Sequence, residues 1–348
     1  MENEIAPELA EVAHGMNKRR STIRSLLGVR RRGIEWLLGH VNSDGSIGKP
    51  EEGFHFYRAP WTFSIAGESS AASGVCGWIR ENMLTPDGKI EGPFRIYKDA
   101  YAYRNATLML GAHLTRQYDL SYGLIPDLMT WWDDASGGFY NDLTEDGGKS
   151  DRMDIPYACG PGLASLALGR IDIARSVYGF LQRIHEAQTE LPDRFYYAWS
   201  STNGTLMTSF PEGEAFWHVV ENQVDRAQRW TIGGIAAGFL CRLYLADPRP
   251  EYLALARNYQ AFSMDATDGQ FNYAQVCKSS WGSSLLYQIT GEEVYLEWGC
   301  RMSDWYVETQ QSDGFWSWQG YETLGSKIEL TLEFVMHVDN LVGGLASG

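Results

Sequence analysis

Glu329, Glu333 and His337 stand four residues apart near the end of the chain. On a helix that spacing gathers all three on one stripe, with Leu332, Val335 and Met336 turned elsewhere. In a hollow of low polarity, Glu333 beside His337 is an acid/base pair, because burial raises a carboxyl pKa toward neutrality. Set against a neighbouring helix, the same stripe is only a polar seam. Asp154 lies two residues before Pro156, which suits the cap of a helix first turn. Its rival role is a general acid at a pocket floor, with Tyr157 and Cys159 on the turn that follows. Lys278 contributes a cation next to Cys277 and Trp281. The residues expected to act in catalysis are therefore Asp154, Tyr157, Lys278, Glu333 and His337. Those expected to hold a substrate are Tyr57, Arg58, Trp61, Tyr103, Arg104, Cys159, Trp199, Trp217, His218, Trp230, Cys277, Trp281 and Glu329.

Other chemistries lack their residues. Asp133-Asp134 has no further acidic partner at the spacing that magnesium and a diphosphate require, and no basic cluster accompanies it. No DxDD run is present for protonating an alkene, and the seven histidines are scattered. The five cysteines have no CxxC spacing and no histidines at zinc-ligand intervals, so they read as free thiols in a reducing compartment and no metal or cofactor is expected. A formal net charge of −15 makes nucleic acid and anionic membranes poor partners and leaves a small molecule as the expected one. No apolar run reaches the roughly 18 residues of a membrane span, and Met1 to Arg20 has no secretion-signal character, so a cytosolic location is expected.

The elements that must position these residues are set by a recurring turn, an acidic residue and glycine followed by an apolar residue. It occurs at Asp44-Gly45-Ser46-Ile47, Asp87-Gly88-Lys89-Ile90, Asp134 with Gly137-Gly138-Phe139-Tyr140, Asp268-Gly269-Gln270-Phe271 and Asp313-Gly314-Phe315-Trp316, with a degenerate copy at Pro192 to Tyr196. The first two aspartates are 43 residues apart and the last two 45, the period of a helix-pair repeat. Amphipathic segments precede the turns, at 22–41, 70–82, 171–187, 251–262 and 293–310, and suit an outer ring with one wet face. Segments rich in small and apolar residues follow them, at 59–67, 99–115, 155–168, 230–245, 273–289 and 328–345, and suit a buried inner ring. Six hairpins in alternation make an all-α (α/α)6 barrel, with residues 1–21 as a polar extension and 22–348 as one domain. A stretch at 193–229 is about 30 residues longer than the period allows and carries Tyr196, Tyr197, Trp199, Phe210, Phe216, Trp217 and His218; it reads either as a lid or as an ordered decorative loop.

Over residues 22 to 348 the chain resembles the (α/α)6 toroid superfamily of terpenoid cyclases, protein prenyltransferases, linalool dehydratase-isomerase, N-acylglucosamine epimerases and six-hairpin glycosidases. Trp131-Trp132-Asp133-Asp134 through Gly137-Gly138-Phe139-Tyr140 is similar to the epimerase-type turn, and Gln310-Gln311-Ser312-Asp313-Gly314-Phe315-Trp316 to the QW-type repeat of squalene cyclases. The resemblance implies a pocket at the N-terminal ends of the inner helices. It does not select a reaction, since one fold hosts unrelated chemistries. The 13 tryptophans, 19 tyrosines and 14 phenylalanines suit either an apolar or cationic carbon skeleton or a sugar face. The first expectation is a cofactor-independent cyclase, isomerase or lyase, a pericyclase included, acting on an apolar terpenoid or polyketide intermediate. The alternative is a carbohydrate-active enzyme: a glycosidase, unsaturated-uronyl hydrolase or sugar epimerase. Ordinary glycoside hydrolysis would need two pocket carboxylates about 5 to 10 Å apart. A non-enzymatic binding protein would have its pocket plugged by side chains.

Overall fold

The computed structural model describes residues 2–52, 57–91, 100–140 and 142–347, with side chains from residue 17 onward except at 52. In chain order its helices are α1 (Glu2–Leu38), α2 (Ala59–Ala66), α3 (Ser69–Asn82), α4 (Tyr101–Leu114), α5 (Tyr118–Gly123), α6 (Ile125–Met129) and α7 (Ile155–Ala167). They continue with α8 (Ile171–Glu186), α9 (Ile232–Ala246), α10 (Pro250–Met264), α11 (Lys278–Thr290), α12 (Glu293–Thr309) and α13 (Leu324–Ser347). Contacts run α2 to α4, α7, α9, α11, α13 and back to α2, so these six close an inner ring. Around them stand α1, α3, the broken pair α5 and α6, α8, α10 and α12, which is the expected (α/α)6 architecture. The third outer member had no counterpart in the sequence reading, because Pro126 splits it into two short helices.

Periodicity decides which ring a helix joins. In α8 the buried residues Ile173, Val177, Phe180, Leu181 and Ile184 form one stripe, leaving a wet opposite face. In α9 the residues from Ile232 to Cys241 are all buried, as an inner position demands. The repeat turns are closed by short bridges, Val41 to Ile47, Leu84 to Ile90 and Trp132 to Phe139. Their glycines are left-handed, and a Cβ at Gly314 (φ +99°) would lie 2.5 Å from the Arg32 carbonyl oxygen. Glycine is thus needed where the sixth turn seats against α1 and closes the outer ring.

Two proposed copies of the turn differ. Asp268–Asn272 is a 3-10 helix whose start is capped by Thr267, so Gly269 is not in the left-handed region. Pro192 to Tyr196 is not a turn of this kind either. It leads into β2 (Arg194–Tyr196), one of the strands organised by the long stretch at 193–229. With β1 (Arg152–Asp154), β3 (Ala198–Ser200), β4 (Thr205–Leu206) and β5 (Val219–Glu221), β2 builds two small antiparallel sheets, in the orders β1-β3-β4 and β2-β5. Asp151 ties this segment to the barrel by accepting hydrogen bonds from Ser200 Oγ (2.5 Å), Ser201 Oγ (2.9 Å) and the Thr202 N–H (2.6 Å). Among the described residues no helix is long and apolar enough to cross a membrane.

Candidate active site

A cavity of about 180 Å³ opens where the inner helices begin. Its lining includes Arg58 just before α2, Tyr103 in the first turn of α4, Pro156 and Tyr157 opening α7, and Arg229 and Thr231 just before α9. Cys277 and Lys278 reach it from the start of α11, Leu330 and Glu333 from the first half of α13, and Tyr321 from the loop before α13. Phe216 and Trp217 of the long insertion also line it. Position follows from packing. A Cβ at Gly234 would lie 2.1 Å from the Lys278 carbonyl oxygen, so only glycine lets α9 approach the start of α11 this closely and hold Lys278 at the cavity.

Two buried charge clusters face one another across this space. In the first, the Arg58 Nη1 donates to Glu333 Oε2 at 2.7 Å and Lys278 Nζ donates to Glu333 Oε1. Glu329 lies 3.8 Å from Arg58 Nη1 and accepts a 2.6 Å hydrogen bond from Tyr57 Oη. Burial alone would raise the Glu333 pKa, the behaviour expected of an acid in a hollow. Instead the Arg58 and Lys278 cations hold it well below the usual carboxylate range, so Glu333 is an anion at neutral pH. Although desolvation opposes its charge, Lys278 is kept protonated by Glu333. His337 Nε2 is 3.6 Å from Glu333 Oε1 and Nδ1 has no hydrogen-bond partner. Burial drives the His337 pKa down to about 4, so its ring is neutral at pH 7.

In the second cluster, Asp154 caps α7 by accepting the Tyr157 N–H at 3.1 Å and takes a 2.7 Å hydrogen bond from Arg229 Nη1. The Arg229 guanidinium lies 4.6 Å from the Tyr157 ring centre and 5.0 Å from that of Trp217, a cation packed between aromatic faces. Tyr197 Oη donates to the Phe216 carbonyl oxygen, anchoring the segment that carries Trp217.

The expected site residues divide into four groups. Arg58, Tyr103, Tyr157, Trp217, Cys277, Lys278 and Glu333 line the cavity together. Tyr57, Glu329 and Asp154 stand one contact behind it, and the Arg104 guanidinium lies 5.9 Å from the Tyr57 ring. His337, Trp61 and Trp281 lie deeper on the barrel axis, around a void of about 10 Å³. The remaining four are elsewhere. Trp199 packs edge-on against Phe180, and Cys159 is fully buried in the core. Trp230 lines a separate void of about 10 Å³ together with Phe262 of α10, while His218 stacks on Phe210 of the insertion. Arg229 was marked by its place at the head of an inner helix but given no role in the expected set, whereas nothing local in the sequence marks Tyr321.

Cys277, Glu333 and His337 bring donor atoms within 4.8 Å of one another. They do not fit a divalent cation. Glu333 already neutralises two cations, which would repel the ion, and burial pushes the Cys277 thiol up to about 12, away from the thiolate that metals bind.

The inner and outer rings and this pocket define a toroid of (α/α)6 fold with its cavity at the inner-helix N-termini. Comparison with solved structures agrees. D-mannose isomerase superposes with a TM-score of 0.65 at 13% identity, over 91% of this chain and 96% of that one. A family 76 glycoside hydrolase from a bovine Bacteroides thetaiotaomicron strain gives 0.62 at 13%, over 91% and 77%. A type II terpene cyclase from Scytonema gives 0.61 at 13%, over 94% and 99%. These neighbours are enzymes, and at such identities the likeness is one of fold. No family model matches the chain, and no curated protein matches it in sequence.

Proposed function

We propose that the chain is an isomerase or lyase acting on a compact, ring-bearing substrate with an acidic group, through stabilisation of an anionic intermediate such as an enolate. One observation carries this reading: three buried cations, Arg58, Arg229 and Lys278, line an aromatic cavity into which only one carboxylate, Glu333, is turned among the described residues. The lining itself carries three cations to one carboxylate, with the balancing Glu329 and Asp154 one contact behind it, and this placement of charge favours a negative ligand over a carbocation. The 180 Å³ volume favours a compact ligand over an extended terpenoid.

In this mechanism Tyr103, Tyr157 and Trp217 flank the substrate ring, and Arg229 binds its acidic group. Lys278, held protonated by Glu333, stabilises the developing oxyanion together with Arg58, and the proton that Glu333 removes is returned to the product by Glu333 itself. A bound anion that shares these two cations weakens their hold on Glu333, which raises its proton affinity and lets it act as the base. Two-carboxylate glycoside hydrolysis has less support, since Asp154 is fully buried behind Arg229. The test incubates the protein in D2O with a panel of cyclic carboxylates and follows deuterium incorporation by NMR. Expected is exchange for at least one carboxylate, its methyl ester inert, and a loss of about 100-fold or more in Lys278→Met, the scale of a lost oxyanion donor. Thermal stabilisation by neutral apolar ligands or sugars, with no response to any carboxylate, would overturn the reading.

A further inference from the structure

The barrel has a second cavity at its other end, where the inner helices finish. Its volume is about 460 Å³, within the range of roughly 300 to 1,000 Å³ typical of small-molecule sites. Trp61, Leu110, Leu163, Leu166 and Trp281 form its walls. The void of about 10 Å³ between Tyr103, Met336 and His337 separates it from the aromatic cavity, and is at the lower limit for even one water. The two cavities are therefore distinct sites.

Its polar groups point to one ligand chemistry. Asp339 at the rim is already neutralised by Arg30, whose Nε lies 2.7 Å away. Arg242 has no such partner. Its Nη2 donates to the neutral amide oxygen Asn340 Oδ1 at 3.1 Å, and no carboxylate stands within ion-pair reach among the described residues. Arg242 is exposed to solvent at the rim, while partial desolvation beside the apolar wall pushes its pKa down. In the wall, Trp281 is 3% exposed and its indole N–H has no hydrogen-bond partner. Leu114 at the mouth is 45% exposed, an apolar surface continuous with the cavity.

We propose that this cavity binds an amphipathic anion, a carboxylate paired with Arg242 at the rim and an unbranched apolar chain lying against Trp61, Leu163, Leu166 and Trp281. The unmatched cation gives the charge preference, and the leucine and tryptophan walls give the preference for hydrocarbon. The proposal is independent of the reaction assigned to the aromatic cavity, because it is read by binding alone.

Calorimetric titration of the full chain with octanoate, decanoate and dodecanoate tests it, with decanol and decylamine as controls. Expected are saturable binding at one site and a Kd that falls roughly three- to fourfold per added methylene. Decanoate should bind at least tenfold more tightly than decylamine. Arg242→Gln, a change at the rim, should weaken decanoate at least tenfold and leave decanol unaffected, while Trp217→Ala in the other cavity should leave decanoate unaffected. Absence of decanoate binding overturns the proposal. So does decylamine binding as tightly as decanoate, or decanoate binding that ignores Arg242→Gln and is lost in Trp217→Ala.

Discussion

His337 makes the stability of this protein depend on pH between about 4 and 6.5. Its ring is fully buried and uncharged, with a pKa of about 4 against the 6.5 of an exposed imidazole. As pH falls below 6.5, the unfolded chain takes up a proton that the folded chain refuses until about pH 4. Protons then favour the unfolded state, and stability declines as pH drops through that interval. Between pH 7 and pH 4.5 the two pKa values correspond to a loss of about 2 kcal/mol from this one group. Glu333 acts at lower pH. Its depressed pKa contributes stability above the unfolded value near 4.5, and that contribution is lost as pH falls through the folded value. His185 and His218 are also pushed down by burial and add to the wild-type slope. The difference between wild type and His337→Gln isolates the one histidine. Urea unfolding followed by circular dichroism at pH 7, 6, 5.5, 5 and 4.5 should show the wild type losing about 2 kcal/mol more than the variant. Parallel profiles would refute the reasoning, since they mean that His337 takes up its proton in the folded chain at an ordinary pH.

Three further outcomes are expected. Asp154→Asn strands the buried Arg229 and should cost about 3 to 5 kcal/mol in urea unfolding at pH 7, while the double change with Arg229→Gln should recover part of it; purely additive losses would show that the pair is not coupled. Gly314→Ala meets both the left-handed backbone and the Arg32 carbonyl oxygen and should lower stability by more than about 1 kcal/mol, whereas Gly343→Ala, in the exposed middle of the last turns of α13 with nothing near its Cβ, should be neutral or stabilising in the same thermal melt. All five cysteines are buried, and burial pushes Cys241 and Cys277 up to about 12, so a thiol reagent at pH 8 should label none of them in the native protein and all five in denaturant; rapid native labelling of any one contradicts the packing.

Local sequence carried much of the architecture. Acidic-glycine turns at intervals of 43 and 45 residues, with amphipathic segments before them and apolar ones after, specify stacked helical hairpins because each signal is a short-range steric or burial preference. Asp154 before Pro156 was legible as a helix cap for the same reason, and Asp154 does cap α7. The signals failed where the chain departs from regular hairpins, as at Pro126, at the capped 3-10 turn around Gly269 and in the strands of the insertion.

The composition of the cavity was only partly legible. Helix phase brought Glu329, Glu333 and His337 onto one stripe, but the charge state of Glu333 depends on Arg58 and Lys278, which lie 275 and 55 residues away in sequence. Phase likewise could not tell that Trp199 packs in the core and Trp230 lines a separate void, or that Arg229 crosses to Asp154. The sequence by itself determined the ring of hairpins, and its resemblance to (α/α)6 toroids pointed to the helix ends that face the pocket. Only the tertiary structure decided that three cations and one carboxylate line the pocket and that a second, largely apolar cavity lies beneath it, because charge balance and cavity shape are set by groups that meet in space without being neighbours along the chain.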